Sequence, residues 1–270
     1  MKRFKVFCFA LAIAALSCVD VQAQSRTAMS LNGATGLFSI PTGRIGWERS
    51  SSALGLDFGY HTIIADGNAS AIPKAAMSLF NTLELSAAID IQPESAFPLS
   101  GQGDRNVFIG GAKIQLPLTR TALAFGGNIQ FVDMREEHST TASQVYAAIT
   151  YAGRLFDMPA ETTVVFGRTF IEGRPNSNID FGMGFDVQLF PRVFDNLIHW
   201  VTDFANFSYS VRPFRANAVD RGVLNTGIRL NLTAIPAFSR LRLAADIMLV
   251  DAFDENRAFS MGMTLGVPLH

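Results

Sequence analysis

Residues 179–189 read Ile-Asp-Phe-Gly-Met-Gly-Phe-Asp-Val-Gln-Leu, with a large apolar side chain at every odd position and Asp, Gly or Gln at every even one. That period of two belongs to a strand, which sends successive side chains to opposite faces. The pattern recurs. Leu54, Leu56, Phe58 and Tyr60 oppose Gly55, Asp57 and Gly59. Leu123, Phe125, Ile129 and Phe131 oppose Asn128 and Gln130, and Phe259, Met261, Met263, Leu265 and Val267 oppose Ser260, Gly262, Thr264 and Gly266. Strands are expected at about 50–62, 74–91, 105–116, 121–133, 143–155, 161–171, 178–190, 205–213, 222–232, 240–250 and 258–268. Residues 161–171 fit least well, because Val164-Val165-Phe166 breaks the alternation.

The rest of the sequence indicates what surrounds the apolar faces. The N-terminus carries Lys2, Arg3 and Lys5, then an unbroken apolar run over residues 6–16, then Val21-Gln22-Ala23. The run is shorter than the roughly 20 residues of a membrane-spanning helix. A positive start, a short apolar middle and a small-x-small end make a secretory signal peptide. Residues 1–23 are therefore expected to be removed, leaving 24–270 as one domain. Cys18 after Ala15-Leu16-Ser17 leaves a lipoprotein signal as the alternative. Cys8 and Cys18 are the only cysteines, so the processed chain would use no disulfide in a compartment that permits them. Processing removes three positive charges and one negative, and takes the net charge from −1 to −3. No basic surplus suggests nucleic acid. The chain is 49% hydrophobic and holds 23 Phe, while Lys74 and Lys113 are the only lysines beyond the signal. A wall facing lipid accounts for both extremes, because it accepts aromatics and rejects ammonium groups.

The connections alternate in character. Residues 117–120, 156–160 and 233–239 look like tight turns, and 92–104, 134–142, 172–177, 214–221 and 251–257 are longer and more polar. Outer-membrane barrels pair short periplasmic turns with longer outer loops, and edges open to lipid are forbidden, so the sheet must close. With the C-terminus on the tight-turn side, the strand at 50–62 would begin on the outer side. One more strand is then required, and residues 28–40 are the candidate. The expectation is a closed antiparallel transmembrane β-barrel of about 12 strands, with 10 as the alternative. Between 191 and 205, Val193, Phe194, Leu197, Val201 and Phe204 recur at helical spacing, which predicts a short periplasmic amphipathic helix with Trp200 near the interface. The chain ends Val267-Pro268-Leu269-His270, without the final aromatic common in such barrels.

Few residues suggest chemistry. His61, His138, His199 and His270 lie far apart with no paired metal spacing, so neither a metal nor a cofactor is expected. No G-x-S-x-G occurs, and His138 and Ser139 are neighbours that a strand would point to opposite faces. Catalysis is not expected. The inward face is the candidate working surface: Asp57, Glu84, Lys113, Gln130, Asp180, Asp186, Arg212, Arg229, Arg242 and Asp246 should line the lumen. Such groups must either pair across a filled barrel or line a wet channel.

One segment permits a family comparison. Asn32-Gly33-Ala34-Thr35-Gly36-Leu37-Phe38-Ser39-Ile40-Pro41-Thr42-Gly43-Arg44 resembles the N-terminal signature of the YjbH-like outer-membrane proteins linked to exopolysaccharide export. Thr35, Gly36, Leu37, Pro41, Thr42 and Arg44 match, and Gly43 stands where that signature has Ala. The resemblance implies a barrel associated with surface polysaccharide and supplies no catalytic residue. The function expected is that of an integral bacterial outer-membrane barrel, acting as a channel or as a surface or exopolysaccharide-export component. Its expected partners are outer-membrane lipid, the barrel-assembly machinery and polysaccharide or envelope export proteins, with no nucleic acid. The alternatives are a periplasmic or secreted soluble β-barrel binding an apolar ligand, and an outer-membrane barrel hydrolase.

Overall fold

The computed structural model describes residues 28–48, 53–65, 68–92, 105–118, 120–134, 140–172, 179–207, 222–253 and 257–269. The expected signal peptide, Arg212, His138 and His270 lie outside these. Two short strands, β1 (Ala28–Met29) and β2 (Thr35–Gly36), pair only with each other. The twelve that follow form one closed antiparallel barrel. They are β3 (Leu54–Ala65), β4 (Asn68–Leu79), β5 (Leu83–Gln92), β6 (Arg105–Pro117), β7 (Thr121–Met134), β8 (Thr140–Leu155), β9 (Met158–Ile171), β10 (Asp180–Gln188), β11 (Ile198–Ala205), β12 (Val223–Asn231), β13 (Arg242–Val250) and β14 (Ala258–Leu269). Each pairs with its neighbours in sequence, and β14 closes on β3, with Leu269 opposite Leu54 and Phe259 opposite Ile64. Closure satisfies the ladder on every strand and leaves no edge.

The strand number agrees with expectation, but two of the strands are not the ones expected. Residues 28–40 are not a wall strand; they lie inside the barrel with nearly every side chain buried. The missing strand comes from residues 74–91, which are two strands. The chain reverses at Phe80 and Asn81, both left-handed at φ 53° and 55°. This is the backbone of a two-residue hairpin turn, which usually advertises itself as Asn-Gly. Here Leu79 and Leu83 both face outward, so the odd-numbered apolar alternation keeps its phase across the reversal, with only Asn81 interrupting it, and hides the turn.

Residues 191–205 are also corrected. A single helical turn, α1 (Pro191–Phe194), precedes β11. His199, Val201, Asp203 and Ala205 are buried while Ile198, Trp200, Thr202 and Phe204 are half-exposed, which is strand periodicity. The helical spacing of apolar residues lost to the ladder bonds that β10 and β12 offer on either side. Trp200 therefore sits on the outer face of a strand, where its indole N–H donates to Thr226 Oγ1 at 2.9 Å. The strand expected at 205–213 retains only its first residue, Ala205, and 208–213 fall outside the described residues.

One rim of the barrel carries the short connections 80–82, 118–120, 156–157, 189–197 and 232–241, together with the start of β3 and the end of β14. At the other rim the strands lead into 93–104, 135–139, 173–178, 206–222 and 251–257. Outward positions hold a broad apolar belt that includes Phe58, Tyr60, Phe108, Phe125, Ile129, Phe131, Val145 and Met263. The inward face divides in two. Most charged side chains occupy the half near the short turns, while Asp90, Asp180 and Asp203 lie toward the other rim. Ile63, Ile72, Val107, Ile109, Met248 and Val250 form an apolar layer with Phe207 nearer the other rim. The β8–β9 turn holds Phe156 and Asp157 at φ 51° and 62°. A β-branched residue there meets its own carbonyl, so Asp157→Val should lower stability by about 1–2 kcal/mol, read as a shift in the urea midpoint. Asp157→Gly should not lower it.

Candidate functional site

The candidate site is the lumen, and its occupant is the chain itself. Residues 28–48 run through the barrel with almost no regular structure, so their main-chain groups need partners from the wall. Lys113 Nζ donates to the carbonyl oxygens of Thr35, Thr42 and Arg44 at 2.9, 3.3 and 2.7 Å, and lies 3.1 Å from Glu84. Glu84 accepts from the N–H groups of Thr35 and Gly46 at 2.8 and 3.1 Å, and from the Thr35 hydroxyl at 2.5 Å. Lys74 Nζ donates to the carbonyls of Met29 and Ser30 at 3.0 and 2.9 Å. Arg229 reaches the carbonyls of Gly36 and Leu37 at 3.4 Å while forking onto Asp246 at 2.8 and 3.0 Å. Across the lumen, Asp203 accepts from the N–H groups of Phe38 and Ser39 at 2.8 and 2.6 Å, from the Ser39 hydroxyl at 2.9 Å and from Asn225 at 2.8 Å.

The tip of this plug is apolar. Leu37, Phe38 and Ile40 are 1%, 1% and 0% exposed and join the apolar layer of the wall. Burying side chains of this size stabilises by roughly 1.5–3 kcal/mol each. Buried ion pairs contribute little net, because desolvation offsets their attraction. The tip therefore supplies most of the affinity, and the charges fix the path of the main chain.

The residues expected to line the lumen divide as follows. Asp57 pairs with Arg242 at 2.7 Å, and Arg242 also reaches the Ala28 carbonyl at 3.4 Å. Asp186 meets His199 at 2.5 Å and Arg229 at 3.7 Å. Together with Glu84, Lys113, Arg229, Arg242 and Asp246, these form the polar half around the plug. Gln130 and Asp180 stand apart. Gln130 donates to Asn128 at 3.4 Å, and Asp180 accepts from Gln144 and Thr169 at 2.7 and 2.5 Å. All the motif residues lie on the plug. Gly36, Leu37 and Thr35 contribute as above, Pro41 bridges Gly36, and Thr42 donates an N–H to the Thr35 carbonyl at 3.1 Å. Arg44 pairs with Glu48 and Glu161, both at 2.7 Å.

Sequence reasoning missed Asp203, Lys74, Glu161, His199 and Asn225 as site residues. Asp203 and His199 were hidden by the helical reading of 191–205, although His199, Val201, Asp203 and Ala205 already alternate with larger apolar residues. Lys74 was visible as one of two lysines beyond the signal. No group of three His, Cys, Asp or Glu side chains suited to a metal occurs among the described residues. The Asp186–His199 couple ends on Asn196, whose side-chain and main-chain oxygens lie 3.0 and 3.2 Å from His199 Nε2, and not on a hydroxyl nucleophile.

No known family model matches the chain, and no curated protein matches it. Among solved structures it is similar to the KdgM porin in complex with disordered oligogalacturonate, at 7% identity and a TM-score of 0.49, covering 79% of this chain and 99% of that one. It is also similar to LpxR from Salmonella typhimurium, at 10% identity, TM-score 0.45 and coverage of 79% and 100%. Omp33 of Acinetobacter baumannii gives 10% identity, TM-score 0.42 and coverage of 81% and 98%.

Gly43 is the motif's departure, and packing accounts for it. A Cβ there would lie 2.2 Å from the Ala122 carbonyl oxygen and 2.9 Å from that of Ala148, both main-chain atoms that cannot swing away. Gly43→Ala should loosen the plug and cost about 1–3 kcal/mol, seen as a lower urea midpoint and faster proteolysis within residues 28–48.

Proposed function

We propose that this protein is an integral β-barrel of the bacterial outer membrane, of the channel class, closed by its own N-terminal segment and without catalysis. One observation carries the reading: the wall is built to leave room, and a separate segment fills it. A barrel meant only to be solid could fill itself with large side chains. Here the inward face of β10 is glycine at 182 and 184. A Cβ on Gly184 would lie 2.4 Å from Leu37 Cδ1, and one on Gly182 would lie 2.9 Å from Ile40 Cγ2. The wall has given up side-chain volume where the plug sits.

The membrane part of the reading rests on the closed ladder and the apolar outer belt, since closure is what lipid demands of a sheet. The short-turn rim then faces the periplasm, and outer-membrane lipid and the assembly machinery are the expected partners. Association with exopolysaccharide export is the finer proposal. It is supported by the likeness of Thr35, Gly36, Leu37, Pro41, Thr42 and Arg44 to the YjbH-like signature, and those residues are the plug.

Two measurements test this. Ile129 lies outward near the middle of β7 and is 46% exposed. Ile129→Arg should cost about 2–4 kcal/mol in a bilayer, measured by unfolding from lipid vesicles; no cost there would argue for a soluble barrel. In planar bilayers the natural protein should conduct rarely, and the triple variant Leu37→Ala, Phe38→Ala, Ile40→Ala should conduct in long openings. A triple variant that keeps its heat-modifiable gel mobility yet never conducts would remove the channel reading.

A further inference from the structure

We infer that the lumen is a binding site for the main chain of a turn-folded peptide, and that residues 28–48 are its detachable ligand in cis. The inference deepens the reading of a plugged channel by naming how the plug is held and regulated. The wall recognises mostly what every peptide has. Lys74, Lys113 and Arg229 donate to carbonyl oxygens of the plug, and Asp203 and Glu84 accept from its N–H groups. Thr150 and Gln115 continue the pattern, accepting from the N–H groups of Gly43 and Ile45 at 2.8 and 3.1 Å. Side chains of the plug add a specific element at Leu37, Phe38 and Ile40.

A segment fused into a fold shares its ladder. This one shares none: β1 and β2 pair with each other, and neither joins a barrel strand. Removing the plug would break no wall-to-wall main-chain bond. The polar groups it leaves behind are charged, amide or hydroxyl side chains, which water entering from the rim can solvate, and the exposed apolar layer is what favours its return. The barrel ladder can therefore stand while the plug is out, and an identical segment supplied from outside can take its place.

Ser39→Cys tests this in protein lacking Cys8 and Cys18. Ser39 lies at the plug tip against Asp203 and Asn225. A membrane-impermeant maleimide should label the introduced thiol while the barrel keeps its heat-modifiable mobility. A synthetic peptide of residues 28–48 should speed labelling several-fold by capturing the vacated lumen. The same peptide with Ala at 37, 38 and 40 should not. Ser39 is half-buried; Ala34→Cys, at a plug position only 2% exposed, gives a second and stricter reporter that also serves should Ser39→Cys fail to fold. Labelling that only tracks loss of the folded band overturns the inference, as does equal acceleration by the Ala-substituted peptide. Acceleration by an anionic oligosaccharide but not by the peptide overturns it too, because the lumen would then read sugar oxygens. Labelling reports the plug alone. A labelled but non-conducting barrel would therefore sink the channel and leave this inference standing.

Discussion

The interior of this barrel depends on an exchange of partners between wall and plug. The wall's main chain is satisfied by the closed ladder, and its inward charges pair in part with one another, as Arg229 does with Asp246 and Arg242 with Asp57, which leaves further donors and acceptors for the plug. The plug's side chains pack and its turns make some main-chain bonds of their own, such as Leu31 N–H to the Phe38 carbonyl and Thr42 N–H to that of Thr35, but many of its main-chain groups are left for the wall. Each supplies what the other lacks. Lys113 is the centre of this exchange: its ammonium has three donors, and Thr35, Thr42, Arg44 and Glu84 all lie within 3.3 Å. Glu84 beside it holds the opposite polarity and collects the N–H groups. Neither side chain could remain charged and dry without residues 28–48.

The segment 179–189 does more than alternate. Its outward residues Phe181, Met183, Phe185 and Val187 do not all behave alike: Val187 is fully buried together with Asp186, at the end where the cleft beside His199 and Glu161 opens. Its inward glycines, which the sequence shows only as members of the polar face, are the seat of the plug tip. Two-faced strands with glycine inside can mean water or a guest, and only the packing of Leu37 and Ile40 onto Gly184 and Gly182 distinguishes them.

Much of the wall was legible because β-strand periodicity is local. β3, β6, β7, β8, β9, β10, β12, β13 and β14 appear in the sequence within a few residues of their observed bounds. The failures share a physical origin, which is that the deciding interaction is not local. The Phe80–Asn81 reversal left the alternation in phase, so nothing nearby marked it. β11 carries apolar residues at helical spacing, and the neighbouring strands decided otherwise. β9 is a strand as expected, and Val165 breaks its alternation because its inward side faces the apolar layer and not water. The strand count was right only because two errors cancelled: a hairpin read as one strand, and a plug read as a strand. The plug itself could not be read as such, since a segment satisfied by partners far away in sequence has no period of its own.

The two halves of the lumen answer different questions about the closed state. If the charged half held the plug, salt and charge-neutral variants would release it, because ion pairs near an aqueous rim are screened and poorly repaid after desolvation. If the apolar half holds it, release requires three buried side chains to leave a dry layer, at roughly 1.5–3 kcal/mol each. The second sum is the larger, and it is concentrated in Leu37, Phe38 and Ile40, farthest along the lumen from the short-turn rim. The charges below them contribute little to how tightly the barrel is shut. They determine which peptide path is shut in, and by remaining soluble when empty they keep the open state from being prohibitive.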